Sequence, residues 1–169
     1  SRNTVREAMR VLAFSGLVSK EDSTVSFIGE GIDPVREAPI TSAISIVSGK
    51  DLTASPPDSA ILGEGLAANL GVVAGDRIVL LVTTSNGSIN AVELTVAGLF
   101  ATSTKAYDDT ALRVPIPVAR KLMRVQGATS WVVLLHETAQ TQPTVALFRS
   151  KLSAKEFEVV PWEDLADFY

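Results

Sequence analysis

Residues 77–100 read RIVLLVTTSNGSINAVELTVAGLF, and this stretch decides the fold class. Residues 77–84 are almost continuously apolar, while apolar and polar side chains alternate around Glu93 and Leu94 in residues 89–100. Alternation with a period of two is typical of a strand with one buried face. The Asn-Gly pair between the runs favours a tight hairpin, because both residues tolerate a positive φ. Two long antiparallel strands are predicted.

Shorter elements flank this hairpin on both sides. Residues 60–62 are predicted to form a short strand, followed by a helix of two turns that ends at Gly71, a residue that easily adopts the left-handed conformation. Residues 112–116 are predicted to form another strand, and Pro117 then opens a helix that Gly127 follows. The middle of the chain is therefore rich in strands with short helices.

The N-terminal end is predicted to begin with a helix over residues 3–10. Strands over residues 11–19 and 24–32 follow, joined by a polar hairpin loop at residues 20–23. Pro34 then marks a boundary, because proline cannot donate to a strand ladder.

The C-terminal end changes character. Residues 131–135 (WVVLL) read as a buried strand, residues 141–153 as a helix and residues 157–160 as a second strand, which together predict a βαβ unit with a parallel strand pair. A last helix is predicted over residues 162–169. With α/β ends around a strand-rich middle, the predicted fold class is α+β.

Composition excludes several classes of protein. The chain has 169 residues, of which 46% are hydrophobic, so it can bury a sizeable core. The net charge is −4, and no run of consecutive basic residues is longer than two, which argues against a nucleic-acid surface. No cysteine and a single histidine exclude thiol nucleophiles, disulfides and Cys/His zinc sites. The mean hydropathy of +0.26 leads us to expect a piece of a larger protein.

Motifs that could carry catalysis fail on their spacing. Residues 63–68 match GxGxxA, but the helix that follows is too short for a dinucleotide fold, so backbone packing is the preferred interpretation. His136 ends an apolar strand, and no GxSxG elbow supplies a nucleophile for it. Adjacent Asp108 and Asp109 lack the further oxygen ligands of a hard-ion site, which leaves turn or cap chemistry.

Two surface features stay open to more than one interpretation. The basic residues Arg120, Lys121 and Arg124 are either a solvated face that suits a helix C-terminus or a contact for a lipid headgroup or partner. The aromatic residues of the last helix, Trp162, Phe168 and Tyr169, are either core residues or a membrane-interface belt.

An ordered set of short motifs extends over nearly the whole chain. The motifs are GIDP at residues 31–34, ILGEGLA at 61–67, LGV at 70–72, Gly75-Asp76, Asn86-Gly87, VAGLF at 96–100, Ala101-Thr102, Asp108 and VVLL at 132–135. In this order and spacing they resemble the periplasmic domain of MacB/LolC/FtsX-type ABC transporter permeases. The terminal PWEDLADFY is similar to the stretch that leads into the second transmembrane helix of such permeases.

The resemblance implies a domain held between two transmembrane helices. It implies a porter-like α/β subdomain from residues 1–36 and 128–169, with a β-rich, sabre-like insertion at residues 37–127. It also implies a cell inner-membrane protein whose domain is periplasmic, or extracellular in a Gram-positive organism. No catalytic residue, metal or cofactor is expected in the domain, because ATP is hydrolysed by a separate cytoplasmic domain or subunit.

The partners implied by the resemblance are a cytoplasmic ABC ATPase, a second permease copy or paralogue, and a periplasmic adaptor or lipoprotein, with no nucleic acid. The predicted function is to transmit ATP-driven conformational change and to contact an exported substrate or partner protein. The candidate contact residues lie in two polar loops: Lys20, Glu21, Asp22, Lys105, Tyr107, Asp108 and Asp109.

Two rival interpretations come from other classes of protein. One is a soluble ligand-binding or enzymatic domain with a β-barrel-like centre around Gly75-Asp76, using Asp108 or His136. The other is an adaptor or substrate-recognition domain of an ATP-driven machine, which shares the Gly-Asp turn but does not explain the terminal WEDLADFY.

Overall fold

The structure is a computed structural model, and it describes residues 4–37 and 44–166. The strands of the described residues are β1 (Val5–Lys20), β2 (Ser23–Ile32), β3 (Ser45–Gly49), β4 (Ser59–Gly63), β5 (Arg77–Thr83), β6 (Ile89–Ala101), β7 (Ala111–Pro115) and β8 (Ser130–Leu135). The helices are α1 (Pro34–Glu37), α2 (Glu64–Leu70), α3 (Lys105–Asp108), α4 (Ile116–Met123), α5 (Thr141–Lys151) and α6 (Trp162–Ala166). Single 3-10 turns lie at Leu52–Ala54 and Thr138–Gln140. The predicted α+β class is confirmed.

The hairpin predicted at residues 77–100 is confirmed as β5 and β6. The strands pair antiparallel from Arg77 opposite Thr95 to Thr83 opposite Ile89. Gly87 in the turn has a φ of 83°, a conformation that glycine adopts without steric cost.

Six of the described strands close into a small barrel. The order of pairing is β1, β2, β7, β4, β6 and β5, and β5 pairs with β1 again. The β2–β7 and β4–β6 pairs are parallel, and the other four pairs are antiparallel. Closure satisfies backbone groups that an open sheet would leave unpaired at its edges.

Side chains fill the interior of the barrel. Residues from all six strands contribute to one apolar cluster that also takes in α2 and α4, and its fully buried members include Val18, Leu62, Leu80, Leu94, Val96 and Leu112. A second cluster covers the outside of β4 and β6 around Ile61 and Phe100. Both faces of β4 are therefore buried, which agrees with the apolar run Ala60-Ile61-Leu62 at its centre.

The predicted helix over residues 3–10 is wrong for the part that the structure describes. Those residues begin β1, which extends to Lys20. The backbone N–H groups of His136 and Thr129 donate to the carbonyls of Thr4 and Val11, so β8 runs antiparallel to this part of β1. Long-range pairing thus overrides the local helical preference of Arg-Glu-Ala-Met, because propensity is a weak bias compared with tertiary contacts.

The predicted βαβ unit is also wrong in its second strand. Residues 157–160 form no strand, and Phe157 and Val160 are exposed. The carbonyl of Val159 accepts a hydrogen bond from Arg149 Nη2 at 2.9 Å, so a helix side chain occupies it in place of a neighbouring strand. The strand at residues 131–135 is confirmed as β8, but it is not buried, since Trp131 is 58% exposed.

The chain divides into two compact units at positions that differ from the predicted boundaries. One unit comprises Met9–Val132, and the other comprises Ser1–Ala8 with Val133–Tyr169. The hairpin of β1 and β2 supplies two of the six barrel strands, so residues 9–32 group with the middle of the chain. In the second unit, the described residues include the start of β1, the end of β8, α5 and α6, and Val145 is the buried side chain of α5. The predicted end of α6 at residues 167–169 lies outside the described residues.

None of the helices in the described ranges has the length and the apolar character that a membrane span needs.

Candidate partner-contact loops

The first candidate loop is the tip of the hairpin between β1 and β2. Lys20 pairs with Ser23 across the two strands, so the turn consists of Glu21 and Asp22 alone. Glu21 has a φ of 51°, and both acidic side chains are exposed. The tip therefore presents two carboxylates to solvent.

Lys20 points away from the tip and anchors it. Its Nζ lies 2.6 Å from Asp76 Oδ2, and the same oxygen accepts the backbone N–H of Val73 at 2.9 Å. The hydrogen bond from Lys20, followed by the one from Val73, lowers the pKa of the Asp76 carboxyl. The Gly-Asp turn noted in the sequence is thus a fastening point between the start of β5 and the hairpin, which lies 56 residues earlier.

The second candidate loop precedes β7, and Asp108 holds it from the inside. Asp108 is 5% exposed, and both of its carboxylate oxygens accept the backbone N–H of Thr102 at 3.0 Å. The Thr102 hydroxyl donates a further hydrogen bond at 2.7 Å. Because a buried carboxylate must be paired to offset its desolvation, this loop depends on Asp108 for its shape.

Tyr107 also turns inward. Its hydroxyl donates to Glu30 Oε1 at 2.5 Å, and Arg113 Nη2 lies 3.6 Å from the other Glu30 oxygen. The Tyr107 ring packs against Phe100, with ring centroids 6.0 Å apart. Tyr107 therefore ties the loop to the outer surface of β2, β6 and β7.

Lys105 is the exposed charge of this loop, and its partner Asp109 is half-buried. Lys105 Nζ lies 2.8 Å from Asp109 Oδ2, and this hydrogen bond raises the pKa of Lys105. The Lys105 side chain is 88% exposed, so the pair is open to water and adds little to stability. The two charges neutralise each other at the surface.

The glycines of the GxGxxA match pack against the same loop. A β-carbon on Gly63 would lie 2.1 Å from the Asp108 carbonyl oxygen, and one on Gly65 would lie 1.9 Å from Asp109 Oδ1. Both glycines are needed for close approach of α2 to α3, which confirms the packing interpretation of this motif. The dinucleotide interpretation lacks the open space at the helix start that a pyrophosphate would occupy.

The two candidate loops are not brought together by the fold. The parallel pairing of β7 with β2 begins at Ala111 opposite Ile28, five residues from Ser23 along β2. At about 3.3 Å per residue, the loops are separated by roughly 17 Å along the strand. Of the seven candidate residues, Tyr107 and Asp108 have structural partners in the core of the unit, whereas Glu21, Asp22 and Lys105 face solvent.

The sequence analysis named Asp76 and Thr102 only as parts of motifs, and it did not identify these two residues or Glu30 as partners of the loops. Thr102 lies six residues from Asp108, and a Thr-rich polar loop before an Asp is a signal that could have been read. Asp76 and Glu30 are 56 and 77 residues from the groups they bind, and no periodicity connects them.

The residues considered for catalysis differ in their surroundings. His136 is exposed, whereas Asp108 is buried and already binds Thr102. Across residues 4–37 and 44–166, no three His, Asp or Glu side chains are clustered closely enough to hold a metal ion.

Comparisons with known proteins give one family and a consistent fold. The family model described as "MacB-like periplasmic core domain" matches residues 2–151. The periplasmic region of MacB from Actinobacillus actinomycetemcomitans is 12% identical with a TM-score of 0.68, over 98% of this chain and 76% of that one. The extracellular domain of the noncanonic ABC-type transporter YknZ from Gram-positive bacteria is 11% identical with a TM-score of 0.66, over 92% of this chain and 81% of that one. A comparison with curated proteins gives no match.

Proposed function

The chain belongs to the family of MacB-like periplasmic core domains, and from this membership we propose that it transmits ATP-driven conformational change in an ABC transporter permease and contacts a partner protein outside the cytoplasm. The family is a transporter permease domain. We infer that a separate cytoplasmic ATPase supplies the energy, that the permease pairs with a second copy or a paralogue, and that flanking helices hold this domain at the membrane.

The observation that carries the proposal is the filled, closed barrel. A barrel of eight strands is just wide enough for side chains to fill, so six strands leave still less room along the axis. Fully buried leucines and valines from the strands occupy that space. A closed sheet with a packed interior moves as a rigid body, which suits a part that passes displacement from one end to another.

The rival interpretation is a ligand-binding or enzymatic domain with a barrel-like centre. It also predicts a barrel, but it requires a cavity inside the barrel to hold the ligand or substrate. The filled interior argues against a ligand along the axis. The proposed role also needs no cofactor, because every step assigned to this domain is a movement or a contact.

We infer that the unit Met9–Val132 corresponds to the sabre-like subdomain and that the unit built from both chain ends corresponds to the porter-like one. The domain would lie in the periplasm, as in MacB, or outside the cell in a Gram-positive organism, as in YknZ.

Of the two candidate loops, the hairpin tip is the better contact for a partner. Glu21 and Asp22 are exposed, and the Lys20–Asp76 ion pair beneath them holds the tip in place. A pre-organised loop loses less conformational entropy on binding. The carboxylates of Glu21 and Asp22 favour a partner with a basic surface. The partner is an adaptor or an exported lipoprotein.

The test uses the full permease with its ATPase in membrane vesicles. Reversing the tip charges with Glu21→Lys and Asp22→Lys is expected to reduce transport while ATP hydrolysis continues, because the coupling to the partner is lost. Ser85→Lys, at the exposed tip of the β5–β6 hairpin, is the matched control and should transport normally.

These 169 residues contain no cysteine, so Glu21→Cys or Ser85→Cys places a single photo-crosslinker in this domain, and a permease without either substitution measures labelling elsewhere. A crosslinked partner is expected from position 21 and not from position 85. Normal transport by the charge-reversed permease would refute the contact at the tip, and transport that does not depend on ATP would refute the proposed coupling.

A further inference from the structure

Three cationic side chains gather at the end of α4. The basic cluster consists of Arg120, Lys121 and Arg124, and none of the three forms a salt bridge with any described residue. The sequence contains no acidic residue between Asp109 and Glu137. In a chain with a net charge of −4, this is a local surplus of positive charge.

The simplest role for cations at a helix C-terminus is to cap its free carbonyls, but other groups already do so. The Arg120 carbonyl accepts the backbone N–H groups of Arg124 and Val125. The Leu122 carbonyl accepts Asn90 Nδ2 at 2.9 Å, with a longer contact of 3.5 Å from the same nitrogen to the Lys121 carbonyl. The head groups of the basic cluster are therefore not needed as caps.

Arg124 occupies a position that favours glycine. Its φ of 56° lies in the left-handed region, which among the described residues other than glycine only Glu21 shares. Glycine is the usual residue at such a helix end, because it has no β-carbon to clash with the backbone. A long cationic side chain at a strained position suggests that the side chain has a use, since strain of this kind concentrates at ligand sites.

Arg120 is partly buried and incompletely paired. Its Nε donates to the Gly127 carbonyl at 3.2 Å, which fixes the plane of the guanidinium. Its Nη2 is buried and has no hydrogen-bond partner among the described residues. A buried donor without a protein partner is uncommon in folded proteins and is a place where an ordered water or an ion binds.

An open depression of about 520 Å³ connects these groups. It is lined by Arg120, Lys121, Arg124, Val125 and Gln126. The helix end contributes roughly half a negative charge, which three cations exceed severalfold. The depression is therefore positive and carries several N–H donors.

We propose that the basic cluster binds a phosphate group. A phosphate has several acceptor oxygens around one centre, so it can accept a guanidinium in bidentate geometry and still bind a second cation. A single carboxylate has fewer acceptors and would leave part of the cluster unpaired. The phosphate belongs either to a small soluble ester or inorganic phosphate, or to the headgroup of an anionic lipid. The proposal is independent of the role in coupling to the ATPase.

The experiment is an NMR titration of the whole chain with inorganic phosphate, against sodium chloride of equal ionic strength. Saturable shifts are expected at the amides of residues 120–127. Arg120→Gln is expected to weaken the affinity about tenfold, because a hydrogen bond between charged groups is lost. Arg77→Gln is the matched control, since Arg77 is bound to Glu93 elsewhere on the same unit, and its affinity should stay within about twofold of the parent.

Arg124→Gly separates binding from folding. Glycine relieves the left-handed conformation, so the variant is expected to melt at a higher temperature while it binds phosphate about tenfold more weakly. Phosphate binding by Arg124→Gly that stays within about twofold of the parent, at whatever melting temperature, would overturn the place of Arg124 in the site.

A second arm identifies the source of the phosphate. Vesicles of phosphatidylglycerol are compared with vesicles of phosphatidylcholine, and glycerol phosphate serves as the soluble headgroup. Selective binding to the anionic vesicles that Arg120→Gln and Arg124→Gly weaken supports a lipid, and binding only to glycerol phosphate or inorganic phosphate supports a soluble ligand. Absence of saturable binding in both arms, or an equal loss in Arg77→Gln, overturns the proposal.

Discussion

Substitution of Asp108 distinguishes a structural carboxylate from a surface contact. In Asp108→Ala, the Thr102 backbone N–H and hydroxyl lose a buried carboxylate acceptor. A hydrogen bond to a charged group contributes about 1.5–3 kcal/mol, so two such donors together predict a loss of about 3 kcal/mol in the free energy of unfolding. Lys105→Ala removes an exposed i,i+4 pair and should cost about 0.5 kcal/mol or less.

The assay is urea unfolding followed by circular dichroism, with hydrogen exchange of the Thr102 amide as a local probe. For a chain of this size, 3 kcal/mol corresponds to a decrease of roughly 6–12 °C in melting temperature. Asp108→Asn keeps one acceptor oxygen and should retain part of the stability. If Asp108→Ala costs no more than Lys105→Ala, or if the Thr102 amide stays protected, the buried hydrogen bonds do not hold the loop and the reasoning fails.

Two further predictions concern the backbone contact beside this loop and the hairpin anchor. Gly63→Ala places a β-carbon against the Asp108 carbonyl and should lower the free energy of unfolding by about 3 kcal/mol. Gly71→Ala, with a φ of 76° and open space around it, should lower it by only about 1 kcal/mol. Equal losses of stability in urea unfolding would contradict the close approach at Gly63. The pKa of Asp76 is lowered in the folded state. The stability from its pairing with Lys20 is therefore fully present above the unfolded-state pKa of about 3.9, and it is lost as the pH falls through the folded-state pKa. Asp76→Asn should remove this loss of unfolding free energy at acidic pH, and an unchanged pH dependence would exclude the Lys20–Asp76 pair as an anchor of the hairpin.

Local signals were sufficient for the elements in the middle of the chain. The β5–β6 hairpin follows from alternation and an Asn-Gly turn, and the end of α2 at Gly71 follows from a glycine with a φ of 76°. Both depend on neighbours within a few residues. The helix predicted over residues 3–10 failed for the opposite reason, because β8 lies more than 100 residues away and imposes the extended conformation on those residues.

The candidate loops divide in the same way. Exposure of Glu21, Asp22 and Lys105 follows from their charge and their place in polar turns. The sequence does not predict that Tyr107 and Asp108 point inward, because they lie in the same polar loop as the exposed Lys105 and no local pattern distinguishes them from it. Only the approach of β2 to the loop gives Tyr107 its partner Glu30.

By itself, the sequence determined the α+β class, the hairpin at its centre and, through an ordered set of short motifs, the family. These properties depend on the periodicity of apolar residues, on turn residues and on the spacing of motifs, all of which can be read directly along the chain. The tertiary structure alone decided that the N-terminal hairpin closes the barrel and that Asp76 anchors the hairpin tip. Each of these is a contact between groups far apart in sequence, and a pairing of that kind exists only once the chain has folded around a common core.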